Sequence, residues 1–428
     1  MNKDLIVRAD PTKEFFIYMI TRDIETQAAI AELIDNSIDG AKRIRKNDDY
    51  HGIEIDLEYD AEHFVIKDNC GGMDIATARD YAFRFGRAKD RPMEAGFYTG
   101  LFGIGMKRAL FKLGKRFSIK STTKNESFEL EVDVDSWLKN EKWEFEFKSL
   151  VTDSYFDESV CGTTIEITKL NPEQSRSFSD QIIRNQLFSY LEKYRSAETD
   201  KGMLISINKQ YINPRTEYLI ENDVVHCYKS FVKDDDGEIR VIAGIAKPGE
   251  PEKAGWYIYC NGRLVLYADR TTVTGWGDKY RLFHNELAMF RGYVFFISKD
   301  LFKLPWNTTK TGVDVSNRLY SIAMDKMTDA VSQISIEVKK LRTQFNDEEL
   351  ENIFKNSVKV EDINEIYYRC EENTGFEITA SALTNRKKTI SFSVPADKYD
   401  SAQRKLEVKT AKQLGEKIFQ YYCEMEGI

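Results

Sequence analysis

The segment AELIDNSIDGAKR, residues 31–43, concentrates the groups best suited to chemistry, with Glu32, Asp35, Asn36, Asp39 and Arg43 inside one stretch of helical pattern. At about 100° per residue, Glu32, Asn36, Asp39 and Arg43 share one polar stripe, opposite Ile30, Ile34, Ile38 and Ala41. A carboxylate and a carboxamide one turn apart suit two tasks. Asn36 can offer its amide oxygen to Mg²⁺, which takes oxygen ligands, and Glu32 can orient and deprotonate a water. A solvated helix face would carry the same residues.

Two glycine-rich segments add complementary chemistry. IKDNCGGMD places Asp68 after a β-rich stretch and Gly71, Gly72 and Met73 just beyond it. A fixed carboxylate there can accept a hydrogen bond from an adenine amino group, while glycines allow close approach of backbone and ligand; a plain turn is the alternative. TGLFGIGMKRA sets Gly100, Gly103 and Gly105 at the mouth of a helix, where unpaired N–H groups and the helix dipole attract phosphate. It is not a Walker A loop, because GxxxxGK[ST] does not occur.

Positioning these groups requires helices on a sheet. The pattern predicts a helix from Asp23 to about Arg45, strands at Ile53–Tyr59 and Phe64–Lys67, and a helix over GMKRALFKLG. Strands follow at FSIKST, SFELEVDVD, WEFEFKSL and TTIEITKL. An amphipathic helix at Asp180–Tyr194 precedes a second strand-rich region at 202–317, with a DDDG hairpin turn at Asp234–Gly237. A mostly helical stretch is expected over Ser316–Phe354. This is an α+β layout, read as four parts: 1–200, 201–318, a helical connector at 319–380, and a small unit at 381–428.

Taken together, the order and spacing of the three segments and of CGTTIEI, with Gly162 and Thr163, resemble the four-box pattern of the GHKL superfamily, over roughly residues 15–170. The resemblance implies a Bergerat-type ATP-binding α/β sandwich, a Mg-dependent ATPase with ATP and Mg as ligands, and a lid over about Phe85–Phe102. By that resemblance Glu32 is the general base, Asn36 the magnesium ligand, Asp68 the adenine contact and Thr163 its water-linked neighbour. The nucleotide contacts are expected to include Asp39, Gly72, Met73, Lys89, Gly100, Leu101, Phe102, Gly103, Ile104, Gly105, Met106 and Lys107.

Four histidines, none on a helical hairpin before this region, argue against the histidine-kinase branch. WYIYCNGRLVLYADR followed by FKLPWNTTKTGVD instead resembles the second, transducer domain of MORC and MutL proteins. There a lysine loop reaches the γ-phosphate, and Lys310 is the matching position. Arg263, in the NGR turn, either touches nucleic acid or pins a hairpin. Neither an endonuclease metal cluster nor a zinc-binding module is found.

The tail KKTISFSVPADKYDSAQRKLEVKTAKQLGEKIFQYYCEME reads as an alternating strand with Ile390, Phe392 and Val394, a helix from near Ala396 and another from near Thr410. This order resembles the ribbon-helix-helix fold, a dimerising, DNA-binding unit in which Lys387, Lys388 and Thr389 would flank the ribbon. Intramolecular packing is the alternative.

Composition narrows the class without choosing a partner. The 428 residues are 42% hydrophobic and 31% charged, typical of a globular protein, and carry a net charge of −8, so any nucleic-acid contact must be a local patch. Six scattered cysteines form no CxxC pair, pointing to free thiols, and no signal-like or membrane-spanning segment is read, so the expected location is cytoplasmic. The expected activity is that of an ATP-gated homodimeric clamp holding DNA; the alternatives are a chaperone-like ATPase remodelling a protein client and a nucleotide-sensing regulator.

Overall fold

The polar stripe is carried by a helix at Thr26–Ile44 (α2), preceded by Lys13–Arg22 (α1). The computed structural model describes residues 11–47, 49–86, 103–222, 225–246, 249–344, 360–378 and 391–427. From Ala28 to Ala41 every α2 residue except Asn36 is buried, including Glu32, Asp35 and Asp39. A helix enclosed to that degree must pair its carboxylates, because an unpaired buried charge is costly.

Beneath α2 lies an eight-stranded sheet built from Glu54–Tyr59 (β1), His63–Asp68 (β2), Gly114–Thr122 (β3), Ser127–Asp133 (β4), Phe147–Val151 (β5), Gly162–Leu170 (β6), Leu204–Ile207 (β7) and Gln210–Tyr211 (β8). Its order is β5-β4-β3-β6-β2-β1-β7-β8, antiparallel throughout except where β1 meets β7. After a short helix at Ile75–Thr77 (α3), the helix Gly105–Leu113 (α4) packs on α2, and β3 follows it without a loop. Ile30, Ile34 and Ile38 share one core with Leu110, Phe64, Ile66, Ile119 and Ile167. This is the expected mixed α/β sandwich.

Local differences have identifiable causes. The expected strand at SFELEVDVD stops at Asp133, whose side chain accepts from the Ser136 N–H and starts the helix Val134–Leu138 (α5). Of WEFEFKSL only the second half forms β5; Trp143 and Phe145 instead join Trp137 and Phe85 in an aromatic cluster. Pro172–Phe178 (α6), Gln181–Tyr194 (α7) and Ser196–Asp200 (α8) lead to β7, so the first sheet continues past residue 200, to Tyr211.

Beyond two short strands, Tyr218–Ile220 (β9) and Val225–His226 (β10), a second sheet forms from Tyr228–Asp234 (β11), Gly237–Ile245 (β12), Gly255–Cys260 (β13), Arg263–Asp269 (β14) and Phe290–Ile297 (β15). Its order is β11-β12-β15-β13-β14, and the DDDG turn closes β11 onto β12. The long helix Arg318–Gln344 (α9) packs against β12 and β15. Val360–Asp362 (β16) pairs with β9, Ile363–Tyr368 (α10) lies against the second sheet, and Glu377–Ile378 (β17) pairs with β10. The segment expected as a connector is therefore woven into the second layer where it is described.

Contacts divide the chain into two compact units, 1–379 and 380–428. In the second unit, helices form at Ala396–Leu406 (α11) and Ala411–Glu426 (α12), the latter capped by Thr410. The described residues 391–395 form no strand, with Phe392 and Val394 exposed, and Lys387, Lys388, Thr389 and Ile390 lie outside the described residues. No described helix is long and apolar enough to cross a membrane.

Candidate nucleotide site

Asp68 ends β2 facing α2, and both of its oxygens are engaged. Oδ2 accepts from Ser37 Oγ at 2.6 Å, while Oδ1 accepts from the Cys70 N–H at 2.9 Å and the Thr163 N–H at 3.1 Å. Burial raises the Asp68 carboxyl against these hydrogen bonds, which pull it down. Beside it, Gly72 adopts a left-handed φ of +68°, and a Cβ there would fall 2.1 Å from the Thr122 carbonyl oxygen. Only glycine fits. The Met73 N–H donates to Ser121 Oγ at 2.8 Å, and that hydroxyl lies 2.9 Å from Thr163 Oγ1. Asp68, Gly72, Met73 and Thr163 therefore converge on one place, although Thr163 is far from the others in sequence.

A second focus forms around Glu32. The loop at 306–313 is organised by Asn307, whose Oδ1 accepts from the Thr311 N–H and the Thr309 hydroxyl. It holds Lys310 at φ +54°, a left-handed conformation that non-glycine residues seldom adopt. Lys310 Nζ donates to Glu32 Oε2 at 3.0 Å and lies 4.0 Å from Asp35 Oδ2. The pair is enclosed, with side chains 4% and 5% exposed. Burial pushes the Glu32 carboxyl up, but Lys310 and Arg263 together push it down further, so it is held below its ordinary range. Burial likewise lowers the Lys310 ammonium, opposed by Glu32.

Next to this pair, Asp35 is gripped from two sides. Arg195, between α7 and α8, donates to Asp35 Oδ1 at 2.6 Å, and Arg263 Nη1 pairs with Oδ2. Burial brings the Arg263 guanidinium down to about 10, with Glu32 acting against that. The NGR turn thus ties the second sheet to α2, with the buried Arg263 guanidinium turned to Asp35. Arg108 on α4 adds a further cation, donating to the Thr308 carbonyl at 3.3 Å.

Asn36 sits on α2 one turn beyond Glu32, as the exposed position of an otherwise enclosed stretch, and Asp39 is buried one turn further. Gly105 opens α4 against Glu32, where a Cβ would fall 2.1 Å from Oε2; Gly103 takes φ +63°, Ile104 is the α4 N-cap, and Met106 packs on the first core. Lys107 Nζ donates to the carbonyls of Ala82 and Arg84, both at 2.7 Å. Lys89, Gly100, Leu101 and Phe102, with the body of the expected lid, lie outside the described residues. At the first residue of the stretch expected as a lid, Phe85 stacks on Phe111 and meets Phe16 and Trp143 edge-on.

Sequence reasoning left Asp35, Ser37, Arg108, Ser121 and Arg195 without a role. Two carried a signal: Asp35 and Ser37 are polar residues among the apolar positions of α2, where an unpaired polar group would be costly. The partners, 160 residues away for Arg195 and Asp35, left none.

Among the described residues no group of three or more His, Cys, Asp or Glu side chains could hold a metal ion. Magnesium commonly needs no such cage, being held by one or two side chains together with phosphate oxygens. The same site carries buried polar atoms without hydrogen-bond partners, Glu32 Oε1 and the Nε atoms of Arg108 and Arg263. Three enclosed cations, Lys310, Arg263 and Arg108, near the Glu32 carboxylate, with the exposed Asn36 carboxamide one turn on, are the kinds of group that hold a metal-bound polyphosphate.

No curated protein matches the chain. Residues 24–163, which run from just before α2 through Thr163, match the family model described as histidine kinase-, DNA gyrase B-, and HSP90-like ATPase, and this supports a GHKL-type ATP-binding ATPase domain in that part of the chain.

Proposed function

We propose that the chain is a Mg-dependent ATPase that works as an ATP-gated dimeric clamp on DNA, in the manner of MORC and MutL proteins. The observation that carries this reading is the 3.0 Å contact between Lys310, from a loop after the second sheet, and Glu32, on the helix of the matched segment. In this reading Asp68 accepts the adenine amino group, Asn36 holds Mg²⁺ with the phosphate oxygens, and the glycine turn into α4 receives the phosphates. Magnesium, when bound, neutralises charge on the transferring phosphoryl group.

Glu32 engaged by Lys310 is a poor base, since the ammonium holds its carboxylate in an ion pair. A γ-phosphate competing for Lys310 frees that carboxylate to orient and deprotonate the attacking water. Hydrolysis then removes the competitor, so the position of the second sheet reports the nucleotide state. Lys310→Ala is expected to cut ATP hydrolysis while sparing ADP affinity, with a loss of about 1.5–3 kcal/mol in ATP-dependent steps. Lys310→Gly, which suits the left-handed backbone, should not rescue. Equal effects on ATP and ADP binding would remove Lys310 from γ-phosphate recognition.

Dimerisation is supported by α12, which leaves Phe419, Tyr421, Tyr422 and Met425 exposed, a set of apolar side chains suited to a second copy. DNA as the object held is tested by ATP turnover with and without duplex DNA. Stimulation that fades with added salt is the expected result. Stimulation by an unfolded polypeptide, with none by DNA, would favour the client-remodelling alternative.

A further inference from the structure

A cavity of about 740 Å³ lies between the C-terminal end of α2, the α7–α8 corner, one face of the second sheet and α10. Asn36, Asp68, Gly72 and Thr163 are not among its lining residues, so it is separate from the nucleotide site. Its volume is that of a small-molecule pocket, typically about 300–1,000 Å³.

Two chemistries meet in it. The wall is aromatic: Tyr257 and Tyr259 of β13 and Phe295 of β15 share one face of the sheet, extended by Tyr267 and Tyr367. Tyr257 is buried and Tyr259, Tyr267, Phe295 and Tyr367 are half-buried. Tyr259 stacks on Phe295 with centroids 4.9 Å apart and Tyr367 meets Phe295 at 4.7 Å, so a base would stack on the half-buried rings of this packed cluster and on the exposed Tyr368 beside it. The rim is cationic. Seven Lys or Arg side chains line the cavity against three Asp or Glu, in a chain whose net charge is −8. Four of the seven, Lys42, Arg43, Arg45 and Lys46, stand together at the end of α2, and Arg43, Arg45 and Lys46 are exposed to solvent.

Lys193 lies 5.1 Å from the Tyr267 ring centroid, and Gly262, at the tip of the NGR turn, has open space where a side chain would project. The cavity also adjoins the grip of Arg195 and Arg263 on Asp35. Arg195 directly precedes the lining residues Ser196 to Glu198, and Arg263 lies between Gly262 and Leu264, so both guanidiniums that grip Asp35 are flanked by its wall.

We propose that this cavity binds a nucleobase-bearing phosphate, the base stacking on the aromatic wall and the phosphate resting at the α2 rim. Aromatic platforms beside a cationic track are how proteins hold single-stranded nucleic acid without reading its sequence. Free nucleotide and a single-stranded segment present this chemistry alike. A ligand here bridges α2 and the second sheet, and so favours the arrangement that keeps Lys310 against Glu32. The inference does not depend on the ATP reading of the other site.

The test uses the full chain without added nucleotide, and the affinity of a non-hydrolysable ATP analogue is measured separately. A fluorescein-labelled oligo-dT octamer is titrated by anisotropy at low salt, with UMP as competitor and an abasic octamer as control. The expected result is saturable binding of the dT octamer at least about tenfold tighter than of the abasic octamer. The double variant Lys42→Glu/Lys46→Glu should weaken it at least about tenfold, with an unchanged thermal melt and unchanged analogue affinity. Octamer binding displaced by UMP identifies a strand as the source, whereas UMP binding alone, lost in the double variant, identifies free nucleotide. Absence of binding by both, equal binding of the abasic octamer, or indifference to the double variant would overturn the proposal. Octamer failure with intact analogue binding would leave the ATP reading standing.

Discussion

Replacing Glu32 with Gln is expected to leave ATP bound and to lower turnover by about 10²-fold or more, the scale of losing a general base. The amide preserves the shape that Gly105 is cut to receive and still offers Lys310 an oxygen, so packing is retained while proton acceptance is lost. Glu32→Ala should lose turnover equally and add instability, because it removes the hydrogen-bonded carboxylate from the buried Lys310 ammonium and leaves Asp35 no nearer than 4.0 Å. The comparison separates chemistry from folding. Single-turnover phosphate release checks the first effect, and a melt followed by near-ultraviolet circular dichroism checks the second. Turnover close to wild type in Glu32→Gln would take Glu32 out of the mechanism.

The ion pair also carries a pH signature. The Glu32 carboxyl is held below its ordinary value of 4.5, so its ionised form is stabilised by folding. Its contribution is complete above that value and is lost as the pH falls through the lower folded one. Acid should therefore loosen the contact between α2 and the Lys310 loop, and Glu32→Gln should remove that component of the acid transition.

The second large effect is expected at Asp35. Its removal leaves Arg195 and Arg263 buried without their shared carboxylate, and breaking a buried pair from one side costs about 3–5 kcal/mol. For a chain of this size that corresponds to a fall in melting temperature of about 3–6 °C. Arg318→Ala provides the contrast: it pairs with Asp234 on the surface, where solvent screening leaves little to lose, and its melt should match wild type. An Asp35→Ala melt indistinguishable from that of Arg318→Ala would mean that the two arginines do not hold the layers together.

What could be read from the sequence follows the range of the interactions. The polar stripe of α2, the α7 helix capped by Asp180, and the Asp234–Gly237 turn arise from residues within a few positions of one another, and periodicity and capping reveal them. The α5 helix was hidden because its cap, Asp133, sits inside an alternating pattern that otherwise reads as strand. Asp68 and Thr163 meet only because β2 and β6 are neighbours in the sheet, a pairing that spacing cannot supply and the four-box resemblance did. The grip of Arg195 and Arg263 on Asp35 required the second layer to be in place. Its single local trace was a carboxylate among apolar helix positions.

The central claim, a nucleotide site centred on Asp68 and completed by Lys310, is tested most directly by calorimetric titration of Mg-ATP into the full chain and into Asp68→Asn. The substitution keeps the side chain's shape but exchanges a carboxylate oxygen for an amide that cannot accept from an adenine amino group in the same way. The expected result is saturable Mg-ATP binding by the wild-type chain, at least about tenfold weaker in the variant. Equal affinity in the two proteins, or no ATP binding by the wild-type chain, would contradict it.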